Sequence, residues 1–207
     1  MKKKHIVFDF GRVLFRWRPE QLLAEQWPHR MPSAEAAAPF VADFFQAYSG
    51  DWGAFDQGLI SQDEVVARIS ARTGWPLADV ARVAAAAPFE LQPLPDTVAL
   101  IDELKSAGHR LFYLSNMPGP LAEHLERTYP IDDWFEAGVF SSRVQQIKPH
   151  AAIFHTALAC FDVAAQDCIF LDDHPANVAA AQALGWQALL FTTAAAARPQ
   201  LARLLRD

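Results

Sequence analysis

The stretch His5-Ile6-Val7-Phe8-Asp9-Phe10-Gly11-Arg12-Val13 constrains this chain more than any other. Its apolar run reads as a strand buried on both faces of a parallel sheet, and the run stops at a carboxylate followed closely by a flexible glycine. In an open α/β sheet the carboxyl ends of the strands form the ligand crevice, so Asp9 falls where chemistry would take place. Asp and Gly also suit an ordinary strand-ending turn, and the remaining strand ends decide between the two readings.

After Val13 the pattern becomes helical. From Pro19 to Pro88 the chain is rich in Ala, Glu, Gln, Leu and Phe, with breaks at Pro28, Pro32, Gly50, Gly58 and Gly74-Trp75-Pro76, which predicts four or five short helices. Ser61-Gln62-Asp63-Glu64 is a capping box, and Val65, Val66 and Ile69 follow at helical spacing. About seventy such residues exceed what a simple crossover needs and read as an inserted unit. Leu91-Gln92-Pro93-Leu94-Pro95 is the extended return linker.

Beyond it the chain alternates. Helices are expected near 96–106, 120–129, 151–159, from Pro175 to Gly185, and 198–206; strands near 110–114, 139–140, 168–171 and 187–191. This alternation predicts a doubly wound, mostly parallel α/β sheet with right-handed crossovers. The domain division is 1–16 and 90–207 for the α/β core and 17–89 for an inserted helical cap. The run Ala194 to Ala197 carries no functional signal.

With 207 residues and 52% hydrophobic content, the chain can bury one substantial core. A net charge of −6 argues against nucleic-acid binding, which needs clustered cations. The basic run Lys2-Lys3-Lys4 reads as a solvated start. No apolar run reaches the ~20 residues that span a bilayer and no signal-peptide core is visible, so no membrane partner and a cytoplasmic location are expected. The two cysteines, Cys160 and Cys168, match no zinc or redox spacing and are expected near the core as small apolar residues.

Four predicted strand ends carry polar groups: Asp9, Ser115 with Asn116, Lys148, and Asp172 with Asp173. Three carboxylates brought together repel unless cations compensate. Lys148 offers one positive charge, and Mg²⁺ suits an all-oxygen site that keeps waters and a substrate phosphate oxygen. The set fits phosphoryl transfer through a carboxylate nucleophile, with Asp9 attacking phosphorus in line and water hydrolysing the aspartyl-phosphate.

Asp9-Phe10-Gly11-Arg12-Val13, Leu114-Ser115-Asn116, Lys148-Pro149 and Phe170-Leu171-Asp172-Asp173 resemble, in order and spacing, the four motifs of the haloacid dehalogenase-like (HAD) hydrolases. The resemblance covers the whole chain and extends to a small helical cap after the first motif. Phe55-Asp56-Gln57-Gly58-Leu59-Ile60-Ser61 further resembles the branch that holds α-glucose-1-phosphate phosphatase and the phosphatase domain of soluble epoxide hydrolase. It implies a Rossmann-like core, Mg²⁺ as cofactor and a small-molecule phosphate ester, a sugar phosphate, as substrate, in a monomer or weak homodimer. It implies Asp9 as nucleophile and metal ligand, with the Gly11 carbonyl as a second ligand. Asp173 would bind the ion directly and Asp172 through a water. Ser115, Asn116, Gly11 and Arg12 would contact phosphate or substrate, Lys148 would sit between nucleophile and phosphate, and Asn177 would support the loop.

One departure from the HAD pattern is Gly11, where most of these phosphatases carry a second Asp as general acid and base; the glucose-1-phosphate branch shares the Gly. His174 stands beside the acid pair, and histidine is the side-chain type that serves as an acid or base near neutrality, although a histidine on such a loop is more often a loop-fixing residue. Trp52 and Phe55 either stack on a sugar ring or, more simply, pack the cap. Trp17, Trp27, Trp75, Trp134 and Trp186 are assigned to packing. Two rival functions stand beside the phosphatase. A 2-haloacid dehalogenase would use Asp9 on carbon, but the resemblance implies neither metal nor paired acids for it. A HAD-fold binding or regulatory protein with weak turnover is left open by Gly11.

Overall fold

The computed structural model describes residues 4–206, apart from the side chain of Tyr48. The strands are β1 (His5–Phe8), β2 (Arg110–Ser115), β3 (Ala137–Phe140), β4 (Cys168–Asp172) and β5 (Gln187–Leu190). All pair in parallel in the order β3-β2-β1-β4-β5. The chain therefore leaves β1 towards one edge and returns to its other side for β4, which places a topological switch point at the end of β1. In register, Phe8 stands opposite Tyr113 on one side and Leu171 on the other. One residue further, Asp9 comes level with Leu114 and Asp172, and its N–H donates to the Leu171 carbonyl at 2.9 Å.

Alternation along the strands feeds two cores. Ile6, Phe8, Leu111, Tyr113, Ile169 and Leu171 face one side, and Val7, Phe112, Leu114, Cys168 and Phe170 face the other. Each fully buried Leu, Ile, Val or Phe contributes about 1.5–3 kcal/mol, which is why these runs hold no polar residue before the strand ends.

Between β1 and β2 the chain forms α1 (Pro19–Gln26), α2 (Ala34–Phe45), α3 (Asp51–Asp56), α4 (Gln62–Thr73) and α5 (Leu77–Glu90). Their apolar faces close on an aromatic cluster in which Trp52 meets Phe44, Phe45 and Phe55 with ring centroids 4.7–5.7 Å apart. Two antiparallel linkers connect this insertion to the sheet. Arg16 N–H donates to the Gln92 carbonyl and Leu94 N–H to that of Leu14, both at 2.8 Å. Glu90, buried at the end of α5, accepts from the guanidinium groups of both Arg16 and Arg18, at 3.2 and 2.7 Å. A buried carboxylate with two cationic partners ties the outgoing and returning strands of the neck together.

The remaining helices flank the sheet: α6 (Pro95–Ser106), α7 (Gly119–Thr128), α8 (Ile131–Trp134), α9 (Ser141–Val144), α10 (Ala151–Phe161), α11 (Pro175–Ala183) and α12 (Ala194–Leu204). Residues of α6, α7 and α12 pack with the insertion on one face, and those of α10 and α11 cover the other.

Two expectations need correction. The last helix begins at Ala194, with the Thr193 side chain accepting from Ala196 N–H, so the Ala194–Ala197 run is its first turn. The expected start at residue 198 falls in its second turn, and Pro199 lies inside the helix. Cys160 lies exposed on the outer side of α10, while Cys168 is buried in β4. Lys2 and Lys3 lie outside the described residues, and Lys4 donates to the Gln166 carbonyl. No helix among the described residues is long and apolar enough to cross a membrane.

The capping box at α4 is complete: Ser61 Oγ accepts from Glu64 N–H at 3.2 Å and the Glu64 carboxylate accepts from Ser61 N–H at 2.9 Å. Ser61→Ala should lower stability by about 1 kcal/mol in urea unfolding, and Ser61→Gly by a few tenths. Unchanged midpoints in both would show that the cap contributes nothing.

Candidate active site

At the end of the central strand the chain brings together groups from four segments. The Lys148 ammonium donates at 2.8 Å to Asp9 Oδ1, at 2.7 Å to Asp172 Oδ2 and at 2.9 Å to the Leu114 carbonyl. Three N–H donors meet three acceptors, so the buried charge is fully satisfied. Oxygen atoms of Asp9, Asp172 and Asp173 lie within 4.8 Å of one another and could hold a metal ion.

Asp172 is fully buried and engaged on every side. Besides Lys148, its carboxylate accepts from His174 N–H at 2.7 Å and from Asn177 Nδ2 at 3.0 and 3.1 Å. Asp173, half-buried, points into the cavity instead. Adjacent residues at the end of β4 thus face in different directions: Asp172 anchors the lysine, and Asp173 is presented to the cavity.

Asn116 does a similar service for the lysine backbone. Its amide donates to the Lys148 carbonyl at 3.0 Å and accepts from Lys148 N–H at 2.9 Å, holding the segment beside the cis Lys148–Pro149 bond. Ser115, at the end of β2, is 1% exposed and lines the cavity with Gly11 and Arg12. Arg12 adopts a left-handed backbone with φ 58° and donates to the Trp17 carbonyl at 3.3 Å. For a residue with a Cβ this conformation costs of the order of 1 kcal/mol, a strain typical of site loops.

The charges shift one another. Burial pushes Asp9 up to about 7 although Lys148 lowers it, and Asp172 and Asp173 add to the rise. Burial and then Asp172 also raise Asp173, against the pull of Arg12 and Lys148. Burial alone would lower Lys148, but Asp172 and Asp9 outweigh it and its pKa ends raised. The lysine stays charged while the carboxylates are crowded, so an added cation would relieve them. Carboxylate oxygens with room for waters are the donor set Mg²⁺ prefers.

These groups open into a cavity of about 570 Å³. Trp17, Trp52, Leu59, Leu91, Met117, Leu121 and Ile147 contribute its apolar lining. Of the residues singled out in the sequence, Phe55 and Asp172 do not line it. Phe55 sits inside the aromatic cluster, and Trp52 both packs there and reaches the cavity. His174 lines the cavity with an exposed side chain, its carbonyl accepting from Asn177 and Val178 at the start of α11.

The sequence reading passed over Trp17 and Asp56, both of which line the cavity. Trp17 was assigned to packing alone. Asp56 appeared only within a quoted motif, yet it is 4% exposed in the same cavity and held well above the ordinary carboxylate range. Burial is the main cause; the Trp52 hydrogen bond lowers it, Asp9 raises it and Lys148 lowers it. Its signal was position: an acid closing a helix stands at the end where the macrodipole disfavours negative charge.

Comparison with known proteins gives a consistent picture. A family profile described as haloacid dehalogenase-like hydrolase matches residues 3–185. A sesquiterpene phosphatase of Aspergillus oryzae is 27% identical over 203 residues, spanning 98% of this chain and 96% of that protein. The structure of a predicted HAD-like family hydrolase from Porphyromonas gingivalis matches with TM-score 0.75, 24% identity and 100% of both chains. A HAD family enzyme of Bacteroides thetaiotaomicron, solved with magnesium and inorganic phosphate, matches with TM-score 0.72 and 21% identity over 90% of this chain and 93% of that one. At these identities the two structures share the fold.

The metal-free site should titrate visibly. Because its folded pKa lies above the unfolded value, Asp9 contributes stability that is complete below the ordinary carboxylate range and is lost as pH rises through about 7. Lys148→Met removes the opposing charge, and in EDTA at about pH 8 it should cost about 3–5 kcal/mol in urea unfolding, less at about pH 5. A cost that does not vary with pH would assign the loss to packing.

Proposed function

The chain belongs to the haloacid dehalogenase-like hydrolases, and from that membership we propose that it is a Mg²⁺-dependent phosphatase acting on a small phosphate monoester. The observation that carries this reading is the Lys148 ammonium held at 2.8 Å from Asp9 and 2.7 Å from Asp172, with Asp173 facing the same cavity. A nucleophilic carboxylate, a fixed cation and a free acid are what phosphoryl transfer requires.

Asp9 attacks phosphorus, the ester P–O bond breaks, and the phosphoryl group resides on Asp9 until water displaces it. Lys148 holds the nucleophile's carboxylate in place and opposes the negative charge of the phosphoryl oxygens. The Ser115 hydroxyl and the Arg12 guanidinium, both at the cavity, bind those oxygens. Asn116, Asp172 and Asn177 act through Lys148 and the loop carrying Asp173. The carboxylates of Asp9 and Asp173 and the Gly11 carbonyl would hold Mg²⁺, which supplies two positive charges against the phosphate. The Bacteroides enzyme's complex with magnesium and phosphate supports the assignment.

The insertion acts as a cap over the strand ends, with the division at 17–89. The apolar lining favours an ester with an apolar organic group over the sugar phosphate expected from the sequence. Similarity to a sesquiterpene phosphatase supports the same direction. Asp172-Asp173 and their place beside Lys148 favour phosphate over haloacid chemistry.

Phosphate release should therefore require Mg²⁺ and cease in EDTA, and Asp9→Asn should abolish it. Across a series of alkyl phosphates, each added methylene that enters the cavity is worth about 0.8 kcal/mol, so two should raise kcat/KM roughly tenfold until the space is filled. Activity that persists in EDTA, or a kcat/KM flat with chain length and highest for sugar phosphates, would contradict the metal and substrate assignments respectively.

A further inference from the structure

An aliphatic alcohol leaves a phosphate ester slowly unless its oxygen gains a proton as the P–O bond breaks. Two residues after Asp9 stands Gly11, which has no side chain to supply one. The cavity nevertheless contains another buried acid. Asp56 closes α3 and shares the cavity with Asp9 and Lys148.

Its position is fixed by contacts to the core. The Ser141 hydroxyl accepts from Met117 N–H at 2.8 Å and donates to the Asp56 carbonyl. Gln57 Nε2 donates to the Gln145 carbonyl at 2.7 Å. Gly58, with φ +72°, lies so close to Ser142 that an added Cβ would come within 2.4 Å of its carbonyl oxygen. The turn 56–58 is thus latched to the segment 141–145, and the same hydroxyl that holds it also holds the loop just after Ser115 and Asn116. An acid on a mobile flap would not be presented this way.

Its environment favours the neutral, proton-bearing form. The carboxyl is buried at a helix C-terminus and no ion pair reaches it among the described residues, which outweighs the Trp52 hydrogen bond that favours the carboxylate. The charges acting on it are Asp9, which favours the proton, and Lys148, which opposes it. A carboxylic acid kept neutral by its surroundings is suited to donate. His174, the alternative proton source, carries its imidazole on the exposed start of α11.

We propose that Asp56, delivered by the helical insertion, is the proton donor to the leaving-group oxygen; this rests on the reading of Asp9 as phosphoryl acceptor. As Asp9 bonds to phosphorus, the ester P–O bond breaks, its electron pair goes to the ester oxygen, and the Asp56 proton joins it. The products are the alcohol, the aspartyl-phosphate and an Asp56 carboxylate. When water attacks phosphorus and the Asp9 O–P bond breaks, the Asp56 carboxylate accepts the water's proton and returns to its starting state.

The test compares two leaving groups in single-turnover rapid quench with Mg²⁺ present: decyl phosphate, whose alkoxide needs a proton, and p-nitrophenyl phosphate, whose phenolate does not. Asp56→Asn, close to isosteric, should slow decanol release by about 10²–10⁴-fold while nitrophenolate release changes by no more than a few-fold. Equal slowing of both, or no slowing of decanol release, overturns the proposal. If Asp56→Asn does not fold, Asp56→Glu carries the comparison, with the same unequal slowing expected and equal slowing decisive against. A wild type that transfers phosphate from neither ester defeats the parent reading as well, so the two failures are told apart before any variant is read.

Discussion

The ammonium of Lys148, caught between two carboxylates and a backbone carbonyl, is the interaction on which the site depends. Buried charge of this kind is tolerable only when every donor is used, and here three acceptors come from three strand ends. Parallel register sets the spacing: β1 lies between β2 and β4, so Leu114, Asp9 and Asp172 arrive level with one another. The lysine itself comes from a loop, which Asn116 secures through both backbone groups of Lys148. A sheet that buries apolar side chains on both faces thereby concentrates polar chemistry at its edge.

The helical insertion completes what the sheet begins. Its aromatic cluster supports Trp52 at the cavity, and its neck is tied by the Glu90 carboxylate to Arg16 and Arg18. The latch of residues 56–58 onto 141–145 fixes its other end. Charged groups therefore collect at the strand ends while apolar residues of the insertion, α7 and the linkers line the remaining space. Such a division suits a ligand with one anionic and one apolar end.

Much of this was legible in the sequence because parallel strands are uninterrupted apolar runs and their ends are marked by Asp9, Ser115 and Asp172. Alternation of strand and helix then predicted the doubly wound sheet, and the capping box at Ser61 marked α4. What depended on long-range pairing was not legible: nothing local shows that the Asn116 amide binds a segment 32 residues away, or that Asp172 anchors while Asp173 faces the cavity. The final helix was expected only from residue 198, and Thr193, its actual cap, was passed over because the alanine run after it carries no periodic apolar signal and Pro199 lies inside the helix. Asp56 was hidden by its short helix, whose six residues give too little periodicity to tell a buried face from an exposed one.

The central claim is that Asp9 carries the phosphoryl group during turnover. Wild-type protein with Mg²⁺ and excess phosphate ester, quenched in acid within milliseconds and digested, tests it directly by mass spectrometry. The account predicts a phosphorylated peptide containing Asp9 that disappears as turnover ends. Continued phosphate release with that peptide unmodified at every quench time would contradict it.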